Sequence, residues 1–210
     1  MGIFDRLKGN KEQVRILDHP GKLAMGDIVK FGFNDLSGIS NQEIIIKNIL
    51  TYDVNPGSSP ITACCFQAGG REYQLFSMPG VSNDTFAIAL KVFPEDVESI
   101  FSIDEFAYIL DEDSGDQHTL GRKNQPDQFS GWTSQRYVQE AGHEGYLHKG
   151  DFRDIALPDD KESCIPFSYY YLVSEDRKHA IQIEVYDGGR TEVFLIAYVP
   201  QRYIEEMWPA

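Results

Sequence analysis

The segment His143-Glu144-Gly145-Tyr146-Leu147-His148 places two imidazoles around a carboxylate, a set of side chains suited to binding a metal ion. Zinc capture on a helix needs histidines four residues apart, one turn above each other on the same face. Here the separation is five, which turns the two rings roughly 140° apart on a 3.6-residue helix. Gly142 and Gly145 also oppose a helix. What remains is a loop site built from His143, His148 and Glu140, and with it a metal-dependent hydrolase as an alternative function.

Other constellations are weaker. Asp111-Glu112-Asp113-Ser114-Gly115-Asp116 offers oxygen ligands for calcium, but glycine arrives one position early and Arg122 stands where the bidentate glutamate belongs. A solvated acidic loop is the simpler reading. Cys164 with His143 or His148 could form a thiol and its base, yet Cys164-Ile165-Pro166-Phe167 reads as the entry to a core strand. The chain has no phosphate-binding glycine loop, no dinucleotide fingerprint and no G-x-S-x-G elbow. With 33 acidic residues, any one carboxylate pair carries little information. No catalytic residue is assigned, and no cofactor or resident metal is expected.

Aromatic residues form the other signal. Tyr169, Tyr170 and Tyr171 are consecutive, so at least one faces away from the core. Tyr186, Phe194 and Tyr198 lie opposite Val193 and Leu195 on alternating runs. A second aromatic face is covered either by a helix of the chain or by a partner. These three residues are the candidates for partner binding.

The elements that must position these groups are mainly strands. Gly26-Asp27 leads into Ile28–Phe31, Asn34 to Asn41 is loop-like, and Glu43 to Val54 reads as one long isoleucine-rich strand. Asn55 to Pro60 is a turn. Ile61–Gln67 and Glu72–Met78 flank Gly69-Gly70, glycines able to supply the positive φ of a tight hairpin. Thr85–Phe93 runs into Pro94-Glu95-Asp96, a helix start followed by the apolar stripe of Val97, Ile100 and Phe101. Phe106–Leu110 reads as a strand, Trp132–Val138 as another, and Ala141–Gly150 as irregular. A closing meander comprises Phe167–Val173, His179–Tyr186 and Thr191–Val199. In it Ile181, Ile183 and Val185 form a core side, and Gln182 and Glu184 a wetter one.

A phrase recurs in this order: strand, Gly-Gly-Arg, strand, proline, short acidic helix. It spans Ile61 to Phe101 and again Ala180 to Trp208, with an extra strand in the first copy. Either a unit is duplicated or a common local solution occurs twice. The expected fold is α+β, mainly antiparallel β-sheet with short acidic helices, the two halves packed as one body. Its divisions are an N-terminal segment (1–20), a first β-rich half (21–110), a polar acidic linker or loop (111–130) and a second β-rich half (131–210).

Composition narrows the partners. At 210 residues with a net charge of −14, the chain is poorly suited to neutralising phosphates or adsorbing to an anionic bilayer, and a basic protein partner fits better. Cys64, Cys65 and Cys164 give no disulfide framework. The absence of a signal-peptide core and of a spanning apolar run leads to an expected cytoplasmic location. Ile3, Phe4 and Leu7 share one helical face, enough for a weak peripheral contact with a membrane or partner.

The opening Met1-Gly2-Ile3-Phe4-Asp5-Arg6-Leu7-Lys8 resembles the start of accessory proteins of bacterial envelope-stress operons. Together with length and aromatic β-rich character, it is similar to the uncharacterised YjfK-like family found near phage-shock-type genes. The resemblance implies a bacterial protein and carries over no activity and no site residue. The leading expectation is a non-enzymatic cytosolic interaction protein, an adaptor or accessory, that docks a partner through acidic and aromatic surface. An acidic immunity or inhibitor protein is the third reading. The oligomeric state stays open.

Overall fold

A computed structural model describes residues 15–54, 59–76, 84–110, 118–158, 160 and 163–210. The amphipathic opening at residues 1–9 and the acidic loop at 111–116 lie outside the described residues.

Eight antiparallel strands close into a barrel. The first four are β3 (Asn48–Asp53), β4 (Ile61–Ala68), β5 (Arg71–Phe76) and β6 (Thr85–Val92). The second four are β8 (Arg136–Lys149), β9 (Cys164–Ser174), β10 (His179–Tyr186) and β11 (Thr191–Pro200). Each set is a meander of neighbours. The last strands of the two sets pair with each other, Leu195 opposite Leu90, and the first strands pair to close the ring, Leu147 opposite Tyr52. β7 (Thr119–Gly121) adds to the outer edge of β8. The mostly antiparallel expectation therefore holds, and closure into a barrel is the feature that pattern reading does not supply.

Gly69 and Gly70 link β4 to β5 at φ of 56° and 78°, the doubly positive backbone that a two-residue turn with right-handed strand twist demands. The second Gly-Gly-Arg joins β10 to β11. The two phrases thus stand at different places: between the second and third strands of one meander, and between the third and fourth of the other. The prolines do correspond, since Pro94 and Pro200 each follow or end the final strand of a meander.

A second layer covers the outside of the barrel. It contains a three-stranded sheet of β1 (Ile28–Phe31), β2 (Glu43–Ile45) and β12 (Ile204–Trp208), with β1 in the middle. It also contains α1 (Pro94–Ile100) and α2 (Ile103–Ile109). Val29, Phe31, Ile44, Val97, Ile100, Phe106 and Trp132 form one buried cluster with outward-facing barrel residues such as Leu75, Leu90, Ile183 and Leu195.

Several local expectations are corrected. Ile204–Trp208 is a strand rather than an acidic helix. β1 offers it a ready edge, with Val29 opposite Met207 and Lys30 Nζ 3.0 Å from Glu205. Phe106–Leu110 lies in helix α2, whose buried residues Phe106 and Ile109 are spaced three apart as a helical face requires. The run Glu43–Val54 is two strands in two sheets. Ile44 and Ile46 are buried, as is Ile49, so burial changes parity across Lys47 and Asn48. The stretch Ala141–Gly150 is strand as far as Lys149: Gly142 and Gly145 lie opposite Tyr170 and Phe167. A Cβ on Gly145 would come 3.0 Å from the Phe167 ring, which already fills the space a side chain would occupy.

Candidate functional site

The inward face of the barrel is unusual in composition. Alternation turns Ala63 and Cys65 of β4, Gln74 of β5, Ala87 and Ala89 of β6, and Tyr169 and Tyr171 of β9 toward the lumen. β10 contributes Gln182, Glu184 and Tyr186, and β11 contributes Phe194 and Tyr198. Small residues on some strands face large aromatics on others, which leaves open volume. One cavity of about 250 Å³ is bounded by Tyr52, Ile61, Phe76, Tyr169, Tyr171 and Gln182. Another of about 410 Å³ is bounded by Leu50, Tyr52, Leu147, Tyr186, Glu192 and Phe194. Residues from strands on opposite sides of the ring line the same space, so both cavities belong to the lumen.

A polar septum stands between them. Glu184 is completely buried. Gln182 Nε2 donates to Glu184 Oε1 at 2.6 Å, and the Tyr186 hydroxyl donates to Oε2. Gln74 Nε2 donates to the Tyr52 hydroxyl at 2.8 Å, and Tyr52 lies close enough to Glu184 for that carboxylate to disfavour its ionisation. Tyr52 and Gln74 line both cavities. Burial pushes the Glu184 carboxyl up to about 7, against the hydrogen bonds from Tyr186 and Gln182 that favour its charge. No cation pairs with it among the described residues.

The two mouths differ. Beyond the larger cavity, Lys91 lies 2.9 Å from Glu192 and 3.5 Å from Glu72, while the Arg190 guanidinium sits 4.1 Å from the centre of the Tyr186 ring. Beyond the smaller one, the hydroxyls of Tyr171 and Tyr198 bond to each other, and Glu140, at a bulge in β8, lies 2.8 Å from Arg177.

The proposed metal ligands do not converge. In an extended strand, a separation of five puts His143 and His148 on opposite faces. His143 packs its ring 5.3 Å from Tyr169 on the lumen side. His148 is buried on the outer side against Phe152, with no hydrogen-bond partner for Nδ1 among the described residues. Glu140 is engaged with Arg177. No group of three or more His, Cys, Asp or Glu side chains fit to hold a metal occurs among the described residues. Cys164 is directly opposite His148 across β8 and β9, so that pair does share a face.

The aromatic candidates also sit elsewhere than expected. Tyr186 and Phe194 are buried and Tyr198 is half-buried, all three turned into the lumen rather than onto an outer docking face or under a terminal helix. The side of β10 read as wetter, Gln182 and Glu184, is the lumen side and is buried. Cys64 and Cys65 do point to opposite faces, and burial pushes their thiols up to about 11 and about 12. None of the three cysteines is bridged. No helix is long and apolar enough to cross a membrane among the described residues.

Comparison with family models finds no match, and no curated protein or solved structure matches the chain at a significant level.

Proposed function

We propose that the protein is a non-enzymatic carrier or sensor that holds a small, largely apolar molecule inside the barrel. The observation that carries this reading is the lumen itself: two aromatic-lined cavities, one bounded by Gln182 and the other by Tyr186, the two residues that donate to the buried carboxylate of Glu184. Eight-stranded antiparallel barrels are just wide enough to hold one small ligand. Binding sites generally combine mostly apolar walls with a few fixed polar groups, the balance found here. The acidic exterior serves solubility or docking to a basic partner, and three unbridged cysteines support a cytoplasmic setting. The docking role of Tyr186 and Phe194 is replaced in this reading by a role as cavity walls, and that of Tyr198 by its hydroxyl contact with the wall residue Tyr171.

The test is a titration with the uncharged fluorophore N-phenyl-1-naphthylamine. Saturable, one-to-one enhancement is expected. Ala141→Leu, which adds bulk to the wall of the smaller cavity, or Phe194→Trp in the larger, should weaken binding about tenfold or more while the fold persists. Unsaturable binding, or affinity indifferent to both substitutions, would refute the reading.

A further inference from the structure

We infer that the lumen selects organic cations: small molecules with an aromatic or alkyl body and an ammonium group that pairs with Glu184. The inference rests on the lumen being a binding site and adds the chemical class of its occupant. Three observations converge on it.

The first is an uncompensated buried acid. A carboxylate has about four acceptor sites. Gln182 and Tyr186 supply neutral donors to Glu184, and neither neutralises its charge. Buried carboxylates are generally paired or protonated. The titratable groups acting on Glu184 are Tyr52 of β3, Tyr186 of β10 and Glu192 of β11, with Cys65 of β4 and Tyr169 of β9 also coupled to it. All are neutral or acidic. Two lysines line the larger cavity: Lys91 is already held by Glu192 and Glu72, and Lys47 is exposed at the mouth rather than buried beside the carboxylate.

The second is the surrounding π-surface. Tyr52, Tyr169, Tyr171, Tyr186 and Phe194 present rings around the two cavities. Aromatic faces attract cations, most strongly where water is excluded. The walls thus suit both the apolar body and the charged head of such a molecule, and repel an anion.

The third is the route in. Gln182 bounds the smaller cavity and Tyr186 the larger, and each donates to a different oxygen of Glu184. An ammonium in either cavity reaches the carboxylate by displacing one neutral donor, exchanging a neutral hydrogen bond for a charge-assisted one. The net charge of −14 concentrates cations around the molecule beforehand.

The experiment compares three probes of nearly one shape, benzylammonium, benzyl alcohol and benzoate, in displacing N-phenyl-1-naphthylamine at pH 8 and pH 5. The expected order at pH 8 is ammonium, alcohol, carboxylate, with about a tenfold or greater advantage of ammonium over alcohol. That advantage should shrink at pH 5, where Glu184 is protonated and the amine remains charged. It should vanish in Glu184→Gln, which keeps the shape and removes the charge, while alcohol binding is retained. Carbon-13 shifts of the Glu184 carboxyl should show its titration moving to lower pH when benzylammonium is bound. Equal affinity for alcohol and ammonium, or a preference that survives in Glu184→Gln, overturns the inference and leaves the lumen reading standing. Failure of the fluorophore and all three probes to bind overturns both.

Discussion

At the scale of single residues, Glu184 is a fully buried carboxyl in the lumen with no cation paired to it among the described residues. Its carboxyl titrates near 7 in the folded protein and near 4.5 when exposed, so the protonated form is the one the fold favours. The sign follows from linkage: its contribution to stability is complete below pH 4.5 and is lost as pH rises through about 7. The full swing is on the order of 3 kcal/mol. Glu184→Gln should therefore flatten the pH dependence of chemical denaturation between pH 5 and 8 and stabilise the protein at the alkaline end. An unchanged slope would show that Glu184 is not the titrating group. The alternation of Ile181, Ile183 and Val185 against Gln182 and Glu184 is plain in the sequence. That the polar side faces a lumen is not, because period-two alternation marks two faces without saying which encloses space. The signal that distinguishes them is the company Glu184 keeps: Ala180 and Tyr186 share its face where an exposed strand would carry lysine or threonine.

At the scale of elements, an ion pair ties the outer layer to the barrel and a close approach joins two loops. Arg71, just after the β4–β5 turn, forms a forked ion pair with Asp96 of α1 at 2.6 and 3.1 Å and lies over the rings of Phe93 and Phe129. Burial of Asp96 opposes its charge, but the Arg71 guanidinium and the Phe93 amide together hold its carboxyl below the usual value. Arg71→Ala should cost about 2–3 kcal/mol by urea denaturation, chiefly by leaving Asp96 buried without a partner. Gly131 has a φ of +80°, and a Cβ there would lie 2.3 Å from the Asp35 carbonyl oxygen. Gly131→Ala should cost at least about 2 kcal/mol. Gly69→Ala, at a similarly positive φ but with open space around it, should cost only about 1 kcal/mol. The same denaturation series would reverse this ranking if the turn, not the close approach, were the constraint. Pro94 and the Gly-Gly hairpin were legible because proline and glycine act locally. Ile204–Trp208 and Phe106–Leu110 were not, because segments this short take whichever partner the tertiary structure offers: an edge of β1 for one, a buried stripe for the other.

At the scale of the molecule, the two four-stranded meanders meet last strand to last and first to first, which makes the halves topologically alike. The repeated Gly-Gly-Arg phrase does not map onto that likeness, because its two copies occupy different joints. What the sequence could not convey is closure. The pairing of β3 with β8 joins residues almost a hundred positions apart, and no local pattern encodes it. Closure turns Tyr186, Phe194 and Tyr198 from an outer face to the lumen, with Tyr186 and Phe194 as cavity walls. The claim on which everything functional rests is that small molecules bind within that closed lumen. Isotope-filtered nuclear Overhauser measurements on the protein with bound N-phenyl-1-naphthylamine test it most directly. The account predicts contacts from the probe to the rings of Tyr171, Tyr186 and Phe194. Contacts confined to the exposed side chains of Phe33, Ile103 and Tyr108 would contradict it.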